Sequence, residues 1–305
     1  MKFSPRETEI LDFLSERKAP AKGIARALEI KTPNLSKYSK KLEAFHLLKS
    51  RRNGKSKELS LDDKTAFGIS IIRNTFPELR LRDVLVGKTP YLLAHLRSRR
   101  EFKIHDLDIP VATAKRTLSR LRKAGFVSMQ KKGIYHLRTE AEMVSEFCRQ
   151  TLMSAHYAEA ERELGRITQA IYSFDSAKEI GALFVVKNEA SSKKYWPTAY
   201  SVAHKYGLQT IPAGKWYYCN SKPDPEDVVI QILALGQDAR SIMYAAVLIL
   251  KNKRNLMLLL KKRQTYGLGR EYILGFVRFL QSNGKEPFGG INSFDEIEVM
   301  LNENV

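Results

Sequence analysis

The residues best suited to chemistry in this chain are basic and amide side chains grouped on two predicted helices. In the first group, Asn34 can form two hydrogen bonds with the edge of an adenine. The lysines around it can neutralise phosphates. We predict that the outward face of this helix carries Asn34, Ser36, Lys37, Lys40 and Lys41.

The second group lies on a helix predicted from Pro110 to Ala124. Its outward polar residues are Thr113, Lys115, Arg116, Ser119, Arg120 and Lys123. Arg116 and Arg120 are one helical turn apart, so they can either read guanine edges or hold phosphates. Phosphate contact is the commoner role of arginine, and both alternatives stay open.

Each of these helices is followed by two short extended runs that flank a basic tip. In the first case the runs surround Asn53-Gly54, and both residues accept the positive φ of a type I′ hairpin turn. In the second case Gly133 closes the tip. The basic residues assigned to the two hairpins are Arg51, Arg52, Lys55 and Lys57 in the first, and Lys131 and Lys132 in the second.

Local signals predict the helices that must position the first group. Ser4 to Glu7 form a capping-box pattern with proline at the first helical position, which starts one helix. A short helix over about 21–28 follows. Thr32 is the predicted N-cap of the third helix, with Pro33 at its first position. The residues of this helix assigned to the core are Leu35, Tyr38, Leu42 and Phe45.

A similar order is predicted for the second group. Thr89-Pro90 starts a helix, a short helix over about 103–107 follows, and the helix from Pro110 ends at Gly125 in the left-handed conformation. Extended runs over 126–130 and 134–137 form the hairpin. The residues of the long helix assigned to the core are Val111, Leu118 and Leu121.

Both stretches resemble the winged helix-turn-helix of MarR- and ArsR-like transcription regulators. The resemblance rests on TPNLSKYSKKLEAFHLLKSRRNGKSKELSL in the first and on TLSRLRKAGFV with GIYHL in the second. It implies that the last helix of each module enters the major groove of double-stranded DNA. Because such proteins usually bind two half-sites, it also implies a homodimer.

The charge distribution agrees with this interpretation. The chain of 305 residues has a formal net charge of +19. Residues 1–57 hold 15 Lys/Arg against 6 Asp/Glu, and residues 97–138 hold 12 against 3. The excess of positive charge therefore lies almost entirely in the two segments with the helix-and-hairpin pattern, which favours a nucleic-acid partner.

The predicted fold class is α+β, with two winged helix-turn-helix modules followed by a mixed α/β domain. The predicted divisions are 1–62 and 89–138 for the modules, 63–88 for a helical connector, 139–171 for one long helix, and 172–305 for the C-terminal domain. The long helix either links the modules to that domain or forms a dimer interface, and we favour dimerisation.

Residues 175–280 combine predicted strands over 182–187 and 216–219 with predicted helices over 200–206, from Pro225, and over 240–250. This pattern resembles the C-terminal domains of AbiEi-type antitoxin regulators. The resemblance implies a degenerate nucleotidyltransferase fold. A small molecule or a protein could act as effector there, and six aromatic residues form either core or a ligand pocket: Tyr195, Trp196, Tyr200, Trp216, Tyr217 and Tyr218.

No catalytic residues, cofactor or metal site are expected. An active nucleotidyltransferase needs a Gly-Ser turn and two carboxylates that hold Mg²⁺. The C-terminal region has no Gly-Ser pair, and the helix dipole accounts for Asp224, Glu226 and Asp227 at a helix start. We therefore expect a protein that is not an enzyme, with nucleotidyltransferase-like activity as a less favoured alternative.

Location and role follow from the remaining features. The 2 cysteines, Cys148 and Cys219, have no metal-binding spacing, and no apolar run is long enough to span a bilayer. We expect a cytoplasmic transcriptional regulator with no membrane partner. The alternatives are a replication or plasmid-maintenance initiator, and a protein whose winged helices dock protein or RNA.

Overall fold

The chain forms two compact units, one comprising Met1–Glu159 and the other Ala160–Asp175 with Ile180–Val305. Helices predominate and the strands form small antiparallel sheets, in agreement with the predicted α+β class. The structure, a computed structural model, describes residues 3–54, 56–97, 101–107, 109–174, 180–208, 214–219, 222–253, 255–266, 268–291 and 294–303.

The first unit begins with three helices and a three-stranded sheet. The elements are α1 (Pro5–Leu14), β1 (Ala19–Pro20), α2 (Ala21–Ala27), α3 (Thr32–Ala44), β2 (Leu48–Asn53) and β3 (Ser56–Leu61). The strand order is β1-β3-β2, so the short β1 pairs with the far strand of the hairpin. The sequence analysis did not predict β1, because two residues show no periodicity.

The predicted capping box of α1 is confirmed. The amide N–H of Glu7 donates to Ser4 Oγ at 3.3 Å, and the amide N–H of Ser4 donates to Glu7 Oε2 at 2.9 Å. With Pro5 at the first helical position, this end of the helix satisfies its own donors. Ile10, Leu11 and Leu14 are buried in the core of the unit.

Helix α3 and its hairpin have the predicted type, with two shifts of one residue. The N-cap is Lys31, which makes no side-chain cap, so the prediction of Thr32 was wrong. Asn53 pairs with Ser56 in the ladder, and the turn therefore begins at Gly54, whose φ is +59°. Leu35 and Leu42 are buried as predicted, and Tyr38 is half-buried against the same core.

The connector contains two helices, α4 (Asp63–Thr75) and α5 (Leu81–Leu85). Asp62 caps α4 by accepting the amide N–H of Lys64 at 3.1 Å. Ile69 and Ile72 of α4 are buried, as is all of the apolar side of α5. The predicted helical connector therefore consists of two helices, both packed against the core.

The next elements repeat the first order. They are α6 (Thr89–Leu96), β4 (Phe102–Lys103), a 3₁₀ turn (Ile104–Asp106), α7 (Val111–Lys123), β5 (Val127–Lys131) and β6 (Ile134–Leu137). The strand order β4-β6-β5 matches that of the first sheet position for position. Val111 was predicted to face the core but is 51% exposed, because it is the first residue of the helix and the buried face starts at Ala114.

Helices α3 and α7 end in the same motif with different residues. In both, the residue after the C-cap is left-handed, His46 at φ 57° and Gly125 at φ 79°. The next amide then donates back into the helix, from Leu47 to the Leu42 carbonyl and from Phe126 to the Leu121 carbonyl, both at 2.9 Å. This hydrogen bond is the mark of the Schellman motif.

Because the left-handed conformation costs an L-residue about 1 kcal/mol and costs glycine little, the two sites should respond in opposite directions. We expect His46→Gly to raise the free energy of unfolding by about 0.5–1 kcal/mol, since the histidine is exposed and loses little packing. Gly125→Ala should lower it by about 1 kcal/mol. Urea denaturation measures both, and a loss of stability in His46→Gly would contradict the argument.

Helix α8 (Glu142–Leu164) is shorter than the helix predicted over 139–171. Gly165, at φ 84°, follows its last residue, and the chain continues as β7 (Ile167–Ser173). The pairing of β7 with the next strand, Tyr172 opposite Ala182 for example, shows that this segment belongs to a sheet. Ile167 also fits the helical apolar spacing, so the apolar pattern continues past the glycine that ends the helix, and the predicted end at 171 was wrong.

The second unit combines a four-stranded sheet with a group of helices. Beside β7 the strands are β8 (Gly181–Val186), β9 (Trp196–Pro197) and β10 (Lys215–Tyr218), in the order β7-β8-β10-β9. The helices are α9 (Pro225–Leu235), α10 (Ala239–Lys251), α11 (Leu256–Lys262), α12 (Arg270–Gln281) and α13 (Asp295–Glu303). The two strands predicted over 182–187 and 216–219 are present, each shifted by one residue, whereas the helix predicted over 200–206 is two 3₁₀ turns, Ala199–Ser201 and Ala203–Tyr206.

Candidate nucleic-acid interface

The outward face of α3 carries the polar residues predicted for it, with one exception. Asn34, Ser36, Lys37 and Lys40 are exposed, while Leu35, Ser39 and Leu42 on the opposite side are buried. Within the described part of the chain, no carboxylate pairs with Lys37 or Lys40. These two ammonium groups therefore keep their charge available to a polyanion.

Lys41 is the exception. Its Nζ lies 2.8 and 2.9 Å from the two carboxylate oxygens of Glu7, whose side chain is only 3% exposed. The same ammonium lies 5.6 Å from the ring centroid of Phe45 and 6.0 Å from that of Phe3. The expectation that Lys41 faces a groove was therefore wrong, because a buried carboxylate from α1 needs this cation.

The hairpin β2–β3 also divides its predicted cations into two kinds. Arg51 and Arg52 are exposed and have no described carboxylate partner. Lys57 instead forms an ion pair with Glu43 of α3 at 2.7 Å, which fastens the hairpin to the helix. Lys57 was predicted as a basic residue of the hairpin that contacts DNA, and this ion pair was not predicted. Lys55 lies outside the described residues.

The outward face of α7 is basic throughout. Lys115, Arg116, Ser119 and Lys123 are exposed, and the helix contains no acidic residue. Thr113 is half-buried on its flank. In the part of the chain that the structure describes, Lys115, Arg116 and Lys123 have no carboxylate partner.

Arg120 has a different position from its neighbours. One of its guanidinium nitrogens donates a hydrogen bond to Thr89 Oγ1, and Thr89 is buried at the start of α6. The side chain thus connects α7 to the helix that supports it. Arg120 was predicted on the outward face and is exposed there, and its hydrogen bond to Thr89 also helps to position α7.

The hairpin β5–β6 presents Lys131 and Lys132, which are both exposed at its tip. Gly133 has φ 82°, and a bulge lies between Met129 and Lys131 where the pairing register shifts. Bulges re-aim the side chains beside them. Among the residues that the coordinates describe, neither lysine has an acidic partner.

Two exposed cations on these helices were missed by the sequence analysis. Lys31 is the N-cap of α3, one turn before Asn34, and Arg122 lies on the flank of α7. Lys31 was missed because the start of α3 was predicted one residue too late. Arg122 could have been found from the Arg-Leu-Arg-Lys run in which it lies.

In the second unit, the acidic residues at the start of α9 form a structural cluster. The amide N–H of Asp227 donates to Asp224 Oδ1 at 2.8 Å, and the amide N–H of Asp224 donates to Asp227 Oδ2 at 3.1 Å, which completes a capping box. Lys262 of α11 bonds to both carboxylates, at 2.8 Å from Asp227. Burial lowers the pKa of Lys262, but these two hydrogen bonds outweigh it and raise the pKa overall.

This cluster is a helix cap whose two carboxylates are also bound to a lysine. The described residues include no group of three His, Cys, Asp or Glu side chains arranged to hold a metal ion.

Six aromatic residues of the second unit were assigned either to the core or to a ligand pocket. Tyr195, Tyr217 and Tyr218 are buried, while Trp196 is 38% exposed.

Neither a protein-family model nor a curated protein sequence matches this chain. None of the helices that the structure describes is both long enough and apolar enough to cross a bilayer.

Proposed function

We propose that this protein binds double-stranded DNA in a sequence-specific manner through two winged-helix modules, and that it regulates transcription. One observation supports the proposal above the others. The same order of helix, short strand, short helix or 3₁₀ turn, helix and hairpin occurs twice, and each time the outward helix face and the hairpin carry cations that have no carboxylate partner among the described residues.

The chemistry of the two faces fits complementary tasks. Lysines and arginines that have no internal carboxylate release counterions when they meet phosphates, which supplies affinity. Asn34 and Arg116, on the outward faces of α3 and α7, have the side chains that read adenine and guanine in the major groove. Arg51, Arg52, Lys131 and Lys132 on the hairpins would contact the backbone beside each groove.

The remaining parts of the proposal concern the rest of the protein. We propose a cytoplasmic protein that acts as a homodimer, in which the second unit binds an effector or assembles the complex. The acidic residues at the start of α9 favour a structural role for this part of the second unit, because their carboxylates are already bound to Lys262 of α11 and to backbone amides.

The salt dependence of binding tests the proposal. Selection from random duplexes gives a bound sequence, and fluorescence anisotropy then gives the association constant at several salt concentrations. With about six phosphates neutralised, log K against log salt should have a slope of about −5 or steeper. A slope near zero, or equal affinity for RNA and for unrelated duplexes, would contradict the proposal.

The symmetry of the selected sequence separates two roles. A palindrome supports a dimeric regulator at a promoter, because a two-fold protein reads two inverted half-sites. Direct repeats would favour the replication initiator. Genome-wide mapping of bound sites provides the same distinction inside cells.

A further inference from the structure

The two modules of the first unit share one hydrophobic core. Buried residues from the first module, such as Leu11, and from the second, such as Leu118, belong to one continuous cluster. Ile69 and Leu85 of the connector helices belong to it as well. Packed cores resist continuous deformation, so the modules are held as one body.

The two residues that flank α4, Asp62 and Phe76, each contact a residue that follows the end of an outward helix. At its start, the amide N–H of Asp62 donates to the carbonyl of Leu47, three residues after α3 ends, at 3.0 Å. At its end, the ring of Phe76 packs edge-to-face on that of Phe126, with centroids 4.7 Å apart. Phe126 directly follows Gly125 at the end of α7.

The length of α4 therefore sets the separation of these two ends. The helix has 13 residues. At a rise of 1.5 Å per residue it is about 20 Å long. The carboxyl ends of α3 and α7 lie at its opposite ends, and their separation is consequently of that order.

Further contacts join the connector to the first module. Arg73, in its last turn, donates to the carbonyl of Asp12 in α1 at 3.1 Å and lies 3.5 Å from the Asp12 carboxylate. Beyond it, Phe3 forms a parallel bridge with Val86, just after α5. Both links connect the connector to elements before α3.

We propose that α4 acts as a molecular ruler, which holds the two DNA-contacting faces at a fixed separation so that one chain recognises a two-part site of fixed spacing. This inference rests on the proposed function. It goes further by assigning the spacing of the target to Phe76, Arg73 and the length of α4. Since one chain holds both faces, the spacing preference is a property of each protomer.

The test uses the full-length protein and the duplex obtained by selection. Base pairs are inserted one at a time, up to ten, between the two parts of the site that footprinting shows to be protected by one protomer. A change of one or two base pairs should lower the affinity by at least about tenfold, because the second contact loses its effective concentration. Insertion of ten base pairs should not restore the affinity, because it moves the second part of the site about 34 Å along the DNA axis, and a rigid protein cannot then contact both parts.

Variants then assign the ruler to α4. Phe76→Ala should broaden the spacing preference, whereas Phe67→Ala should leave it unchanged, because Phe67 lies on the same helix and its ring is 66% exposed. Circular dichroism checks that Phe76→Ala is folded. If it is not, the spacing series of the unaltered protein still decides whether one chain holds the two faces at a fixed separation.

The possible failures are distinguishable. Absence of duplex binding at every spacing overturns the proposed function and the ruler together. Sequence-specific binding with a flat spacing profile, or with recovery at ten inserted base pairs, overturns the ruler alone. A protected site that one module covers by itself has the same consequence.

Discussion

Replacing Arg116 and Lys123 by alanine together should weaken specific DNA binding by roughly two to three orders of magnitude. Both residues lie on the outward face of α7, and both are exposed. A base-reading arginine contributes about 1–3 kcal/mol, and each lost phosphate contact lowers the slope of log K against log salt by about 1. We therefore expect a loss of about 3–4 kcal/mol in binding free energy, since each order of magnitude corresponds to about 1.4 kcal/mol.

A matched control removes the same amount of charge at cations that are already paired. Lys49 lies 2.7 Å from Asp63, and Arg138 lies 3.4 Å from Glu140. The variant with both of these changed to alanine should bind within a few-fold of the unaltered protein, because paired cations release few counterions. Equal losses in the two double variants would show that net charge, and not the face of α7, determines affinity.

Some helix ends were predictable because the signals for them are local. The capping box predicted at Ser4 involves residues three positions apart and is confirmed by hydrogen bonds, and the predicted helix start at Asp224 is present, with a capping box that was not predicted. Gly125 at the end of α7 has the left-handed φ that its position predicted. Each of these features is encoded within one turn of helix, so a linear sequence displays it.

The short strands and the internal contacts of the cations were not predictable in this way. Strands β1 and β4 contain two residues each, and they form only by pairing with the edges of β3 and β6, which are distant in the sequence. Lys41 reaches Glu7 across 34 positions, and Arg120 reaches Thr89 across 31. Sequence analysis placed both cations on the correct helices, but it could not show that another part of the fold had already engaged them.

The adjacent residues Lys40 and Lys41 of α3 allow the effects of a substitution on stability and on DNA binding to be measured separately. Lys41→Ala should lower the free energy of unfolding by about 2 kcal/mol, because it leaves the carboxylate of Glu7 buried without its cation. The estimate lies below the range for fully buried pairs because the lysine side chain is 36% exposed. Urea denaturation followed by circular dichroism measures this loss. DNA affinity, measured without denaturant, should stay within a few-fold of that of the unaltered protein.

Lys40→Ala should give the opposite pattern. Its side chain is exposed, so stability should change by less than about 0.5 kcal/mol. DNA affinity should fall several-fold, and the salt slope should become shallower by about 1. If Lys41→Ala weakened binding while leaving stability intact, the carboxylate of Glu7 would not be holding that lysine in solution. The assignment of Lys41 to the stability of the module and of Lys40 to DNA contact would then be wrong.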